Sequence, residues 1–209
     1  LKFNVGRFKN VRGALDVMVV GETRTGKSEI SKTLHQKYGI GQIISLASAT
    51  EPSIVGGSSL VQGSYQTRAG VLPMQHGDAV IFEELAKSRD HNILKKLTEV
   101  KSSGVTRIAR VNGTVELPSL VRMLTITNTK MHGTSSKPIT AYPNGVEIAT
   151  DLIGAAEDIA RFDIIALFAF NADDPMDAFP EFKEPYSEEE YRTKISWVWS
   201  RKKDQIHIE

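Results

Sequence analysis

Cysteine is absent from all 209 residues, which excludes a disulfide framework and any thiolate metal site. That fits a reducing compartment such as the cytoplasm or nucleus. Histidine is sparse: His35, His76, His91, His132 and His207 lie far apart, which argues against a zinc site. No apolar run approaches the roughly 18 residues of a membrane-spanning helix. The longest, residues 17–20 and 164–170, read as buried strands, so no membrane partner is expected. The first 21 residues lack the apolar centre of a secretory signal. Charge of one sign is missing too. A net charge of +1 gives no bulk nucleic-acid footprint, so any such contact must come from a local patch. There is no internal repeat and no low-complexity tract. Since Leu1 is not a natural start, the chain is expected to be a piece of a longer protein.

What remains has the 40% hydrophobic, 24% charged balance of a globular domain. Residues 15–20 (LDVMVV) form a short apolar run stopping at Gly21, which predicts a buried strand. Residues 27–38 place Ile30 and Leu34 at helical spacing, and Gly39 and Gly41 end that helix. Residues 42–46 and 78–82 predict the second and third strands, the latter ending in Glu83 and Glu84. The Gly, Ser and Thr richness of residues 47–74 predicts loop and marks the best candidate for an insertion. Residues 90–100 predict a helix with Ile93, Leu94 and Leu97 on one face. In residues 106–117 two β-prone runs flank Asn112-Gly113, the strongest short hairpin signal. A fourth strand at 120–127 ends at Asn128, and a polar loop covers 129–145. Residues 146–161 are expected to be partly helical, and 162–170 give a fifth strand. Residues 187–202 predict a helix, with Ser187 as cap and Glu190 closing a capping box. Strands alternating with helices predict an α/β fold with a parallel five-stranded sheet flanked by helices.

Gly21-Glu22-Thr23-Arg24-Thr25-Gly26-Lys27-Ser28 matches G-x-x-x-x-G-K-[ST] in full, between a predicted strand and a predicted helix. Glycines let the backbone fold round an anion with its N–H groups pointing inward. The helix that follows offers its positive end to phosphates. Lys27 would reach the β- and γ-phosphates of a nucleoside triphosphate, and Ser28 would ligate Mg²⁺. ATP and Mg²⁺ are therefore the expected ligand and cofactor.

Three further positions carry chemistry in that setting. Glu83 and Glu84 end an apolar strand. The first would hold the metal through water and the second would polarise the attacking water, whereas without the loop upstream they would read as a solvated strand end. Glu83 stands where Asp is usual, and the extra methylene moves the carboxylate by about 1.5 Å. Asn128 ends the next strand, where an amide would hold the attacking water or simply make a turn. Arg161 precedes Phe162-Asp163 and the fifth strand. It would either reach a neighbour's nucleotide as an arginine finger or pair at the surface with Asp158 or Asp163.

Taken in order, these parts resemble the AAA+ core of the minichromosome-maintenance (MCM) replicative helicases. Arg12-Gly13 precedes the first strand. Ala69-Gly-Val-Leu-Pro-Met-Gln-His-Gly77 precedes Glu83-Glu84-Leu-Ala-Lys87, followed by a helix, the Thr106-Arg-Ile-Ala-Arg110 hairpin, Asn128 and Ala160-Arg-Phe-Asp163. The hairpin together with Ala-Arg-Phe-Asp is the discriminating pair. The likeness covers roughly residues 12–170 and, weakly, 187–201. It implies an ATP-hydrolysing DNA helicase module in a ring, with six subunits expected, acting in DNA replication. Arg161 would be the finger offered to the neighbour's ATP. Arg110 matches the hairpin cation that faces DNA in the channel, a sequence-blind phosphate contact. Arg107, three residues earlier on the strand, should face the other way. The family's N-terminal DNA-binding domain and most of its lid have no counterpart in this sequence. Thr25-Gly26-Lys27 and Glu83 depart from its usual wording, and residues 47–74 show no amphipathic helix where the family carries an insertion. A related helix-2-insert remodelling ATPase of the chelatase or MoxR-like kind, acting on protein, is the alternative.

Overall fold

A computed structural model describes residues 2–5, 8–12, 14–88, 90–110, 113–133, 135–169 and 185–200. At its start a hairpin pairs β1 (Lys2–Val5) with β2 (Phe8–Arg12). The apolar run before the glycine loop forms β3 (Asp16–Gly21). Helix α1 (Lys27–Lys32) follows and continues as one π-helical stretch, Thr33–Lys37. β4 (Gln42–Ser45), β7 (Ala79–Glu83), β10 (Arg122–Thr127) and β13 (Ile164–Phe168) complete an all-parallel five-stranded sheet of order β13-β3-β10-β7-β4.

The sheet follows from side-chain alternation. Met18, Val20, Val80, Phe82 and Met123 point to one face and are buried there with Ile54, Leu72, Ile93, Leu97 and Ile148. Val19, Ile81 and Ile126 point to the other, against Leu34 and Ile43. Parallel strands covered on both faces need such near-continuous apolar runs. The first face is covered by α4 (His91–Ser103) and α5 (Gly145–Ile153), with α6 (Ala156–Ile159) leading toward β13. Asp90 caps α4 by accepting the Asn92 N–H, and Gly104 ends it in the left-handed region at φ 68°.

Residues 47–74 are not a plain loop. They form α2 (Glu51–Ile54), a hairpin of β5 (Gly56–Val61) and β6 (Ser64–Ala69), and α3 (Val71–Met74). The turn is Gln62-Gly63, both at positive φ, joining Val61 to Ser64 with two residues. This is the primed geometry that suits strand twist, reached here without the Asn or Asp that would have signalled it. The expected second hairpin is present as β8 (Val105–Arg110) and β9 (Gly113–Pro118), although Val111 and Asn112 of its turn lie outside the described residues. Between β10 and α5 a short pair joins β11 (Met131–His132) to β12 (Ser135–Ser136). The last helix is α7 (Glu188–Ser200). Its capping box closes as the sequence suggests, with Ser187 N–H to Glu190 at 2.7 Å and Glu190 N–H to Ser187 at 3.3 Å. Arg192 docks α7 by donating to the Lys37 and Gln36 carbonyls, both at 2.8 Å, at the end of the π-helical stretch.

The inserted hairpin is locked at its base. A Cβ on Gly70 would lie 2.5 Å from the Ile54 carbonyl oxygen, and one on Gly56 2.5 Å from that of Arg68. Gly70→Ala should therefore lower stability by about 1–3 kcal/mol through overpacking. Urea unfolding reads this as a lower midpoint, and an unchanged midpoint would contradict the packing described.

Candidate functional site

Parallel strands bring all their C-terminal ends to one edge of the sheet. Here the register pairs Phe168 with Gly21, Val20 with Thr127, Ile126 with Glu83 and Glu83 with Ser45. Open α/β sheets bind ligands at that edge. The first strand turns into α1 there through residues 21–28. Gly21 permits the turn, since a Cβ on it would meet the Phe168 carbonyl oxygen and Thr25 Oγ1 at 2.9 Å and Lys27 Cδ at 3.0 Å. Arg24 and Gly26 both take positive φ, 70° and 77°. Arg24 is a non-glycine residue in a conformation that disfavours a Cβ, a strain found at ligand-binding turns. Glu22 ties the loop down: its N–H donates to Phe168 and its side chain accepts the Ile139 N–H at 2.8 Å.

Beside the loop lies a cavity of about 250 Å³ lined by Lys27, Ser28, Glu83, Glu84, Lys87 and Asn128, with Thr127 and Met131 at its wall. Five side chains singled out in the sequence thus converge on one space: Lys27, Ser28, Glu83, Glu84 and Asn128. Lys27 is buried and donates to the Glu22 carbonyl and, at 3.1 Å, to Thr25 Oγ1. Burial lowers its pKa from the ordinary lysine value, against an opposing pull from Glu22. The Glu83 carboxylate accepts from buried Ser31 at 2.5 Å. Glu84 sits at φ 61°, ψ 37°, in the left-handed region that side-chain-bearing residues adopt uncommonly. Its Oε1 accepts from Lys87 and its Oε2 from Ser45, both at 2.6 Å. These bonds, that to Lys87 first, hold its pKa below the ordinary carboxylate value. A carboxylate held by both oxygens is a weaker base, and opening either bond would raise the proton affinity of Glu84.

Among the described residues no group of three or more His, Cys, Asp or Glu gathers to hold a metal alone. A Mg²⁺ carried on a triphosphate needs none, because it keeps several waters and takes one or two protein oxygens besides phosphate oxygens. Ser28 and Glu83 are hard oxygen donors on one cavity and fit that demand.

Two predicted residues lie elsewhere. Arg161 is exposed ahead of the first residue of β13, at the opposite sheet edge and on the order of 15 Å from the cavity by strand rise. It forms no ion pair among the described residues; Asp163 instead accepts the Asp16 N–H at 2.8 Å. Arg110 is exposed at the end of β8, paired with Gly113. Arg107 is engaged by Glu116 at 2.8 Å and Glu99 at 3.2 Å, whereas Arg110 forms no ion pair among the described residues. Arg12 is described in β2, whereas Gly13 lies outside the described residues. Sequence reasoning missed Ser31, Ser45 and Lys87. Lys87 is three residues from Glu84 and was legible from spacing, whereas Ser31, on the inner face of α1, meets Glu83 only through tertiary packing. Ser45 reaches Glu84 only through strand pairing.

No described helix is long and apolar enough to cross a membrane. Comparison with protein-family models gave no match, and neither did comparison with curated proteins.

The Lys87 bond can be tested without a ligand. Because the folded pKa of Glu84 is depressed, its ionised form stabilises the fold above the unfolded value. That contribution is lost as pH falls through the folded value. Lys87→Met should raise the Glu84 midpoint toward the ordinary value, read by carboxyl NMR titration, and the acid loss of stability that Glu84 contributes should become smaller and be complete at higher pH. An unmoved midpoint would contradict the pairing.

Proposed function

We propose that this chain is the ATP-hydrolysing AAA+ phosphate-loop module of a ring motor similar to the MCM helicases. The observation that carries the reading is the convergence of Lys27, Ser28, Glu83, Glu84 and Asn128 on one cavity at the end of β3. The sheet order, with the loop strand flanked by the last and fourth strands of the sheet, supports it.

In this reading the loop amides after Thr23 and the α1 N-terminus receive the phosphates, and Lys27 exchanges the Glu22 carbonyl for a β- or γ-phosphate oxygen. Ser28 and, through water, Glu83 would hold Mg²⁺, which would supply neutralisation of phosphate charge. Asn128 orients the attacking water. Glu84, released from Lys87 or Ser45, accepts that water's proton as its oxygen bonds to the γ-phosphorus and the bond to the β-phosphate oxygen breaks. Arg161, remote and without an ion pair among the described residues, suits a role in a neighbour's site, where a guanidinium stabilises transition-state charge. Arg110 at the hairpin end supplies a cation for a nucleic-acid backbone.

One observation favours the protein-remodelling alternative. The tip of the inserted hairpin exposes Leu60 (62%) and Tyr65 (57%), a surface that suits protein better than phosphate.

Lys27→Ala should abolish Mg·ATP binding in calorimetry, while Glu84→Gln should retain binding and lose turnover by at least about a hundredfold. Undiminished activity in either variant would overturn the assignment. In a ring assembly, Arg161→Ala subunits mixed with Glu84→Gln subunits should recover part of the ATPase activity, and no recovery would contradict a shared site. Arg110→Ala should reduce DNA-stimulated turnover, and unchanged stimulation would favour the protein-directed reading.

A further inference from the structure

Ser31 is fully buried on α1, one turn after Ser28, where helical spacing with Leu34 would otherwise place an apolar side chain. Its hydroxyl lies 2.9 Å from the Ser28 carbonyl and 2.5 Å from Glu83 Oε1. Serine within a helix can satisfy itself on the carbonyl a turn back. The contact with Glu83 is therefore additional, and one hydroxyl hydrogen is shared between the backbone of Ser28 and the carboxylate. Glu83 is one methylene longer than the aspartate usual at this position, and its Oε1 reaches Ser31.

On the basis of the phosphate-loop reading above, we infer that Ser31 is a positioning residue for the metal site. It clamps one oxygen of the overlong Glu83 carboxylate to α1 and so aims the other at the water shell of the Mg²⁺ that Ser28 would ligate. A carboxylate on a flexible longer stem has more rotamers to lose on binding than an aspartate. The Ser31 bond removes that freedom before the metal arrives. Partners that orient ligands in this way commonly account for ten- to hundredfold in metal affinity.

The test is a Mg²⁺ titration of the whole chain with a fluorescent ATP analogue, beside binding of the same analogue in EDTA. Ser31→Ala should raise the Mg²⁺ concentration for half-maximal binding by about tenfold and leave binding in EDTA unchanged. Ser31→Cys keeps the side-chain shape at a slightly larger volume but offers only a weak S–H donor, and should show the same rise if the alanine variant folds poorly. In a Glu83→Asp background, where the shorter acid cannot span to Ser31, adding Ser31→Ala should change nothing further. An unaltered Mg²⁺ requirement in both Ser31 variants would overturn the inference alone, as would an equal loss in the Glu83→Asp background. A wild-type protein that binds no analogue with or without Mg²⁺ would overturn the phosphate-loop reading and the inference with it.

Discussion

Gly21 has no space for a side chain. The Phe168 carbonyl, the Thr25 hydroxyl and the Lys27 stem all crowd the position a Cβ would take. Those three groups come from the edge strand, the loop and the first turn of α1, so one missing methyl lets β3 end, the loop double back and the helix begin within a few ångströms. The placing of Lys27 and Ser28 on the cavity and the approach of α1 to Glu83 all follow from that turn.

The second constraint is parallel pairing. Five strands running one way present every C-terminal end at one edge. The residues there are those that a buried strand could not carry: Ser45, Glu83, Glu84 and Asn128. Apolar alternation builds the sheet, and the polar residues that end β7 and β10 line the site, with Ser45 at the end of β4 holding Glu84. The resting arrangement satisfies these groups with one another, Glu84 with Lys87 and Ser45, Glu83 with Ser31, and Lys27 with its own loop. A triphosphate would compete for the cations, whereas the hydroxyls would go on holding the carboxylates.

Much of this was legible in the sequence, because β3, β7, β10 and β13 are short apolar runs with abrupt polar ends and the glycine loop has fixed spacing. The inserted hairpin was not legible: its strands are rich in Ser, Thr and Gly, and its turn is Gln62-Gly63. Gly56 at its base leaves no room for a side chain beside Arg68, Gly70 and Ile108, a close approach that the sequence pattern does not announce. The N-terminal hairpin of β1 and β2 was also missed, as its nine strand residues lie in a stretch with no turn signal stronger than Gly6. Within the site, residues on the motif strand ends were predicted. The hydroxyls that hold them were not, since Ser31 and Ser45 acquire meaning only when the sheet brings α1 and β4 beside β7.

The central claim is that residues 21–28 close round the phosphates of Mg·ATP. Hydrogen–deuterium exchange with and without Mg·ATP tests it most directly. The account predicts slowed exchange of the amides at residues 23–31 and at Asn128, with the β8–β9 hairpin unaffected. Nucleotide-dependent protection confined to other segments, or none anywhere, would contradict it.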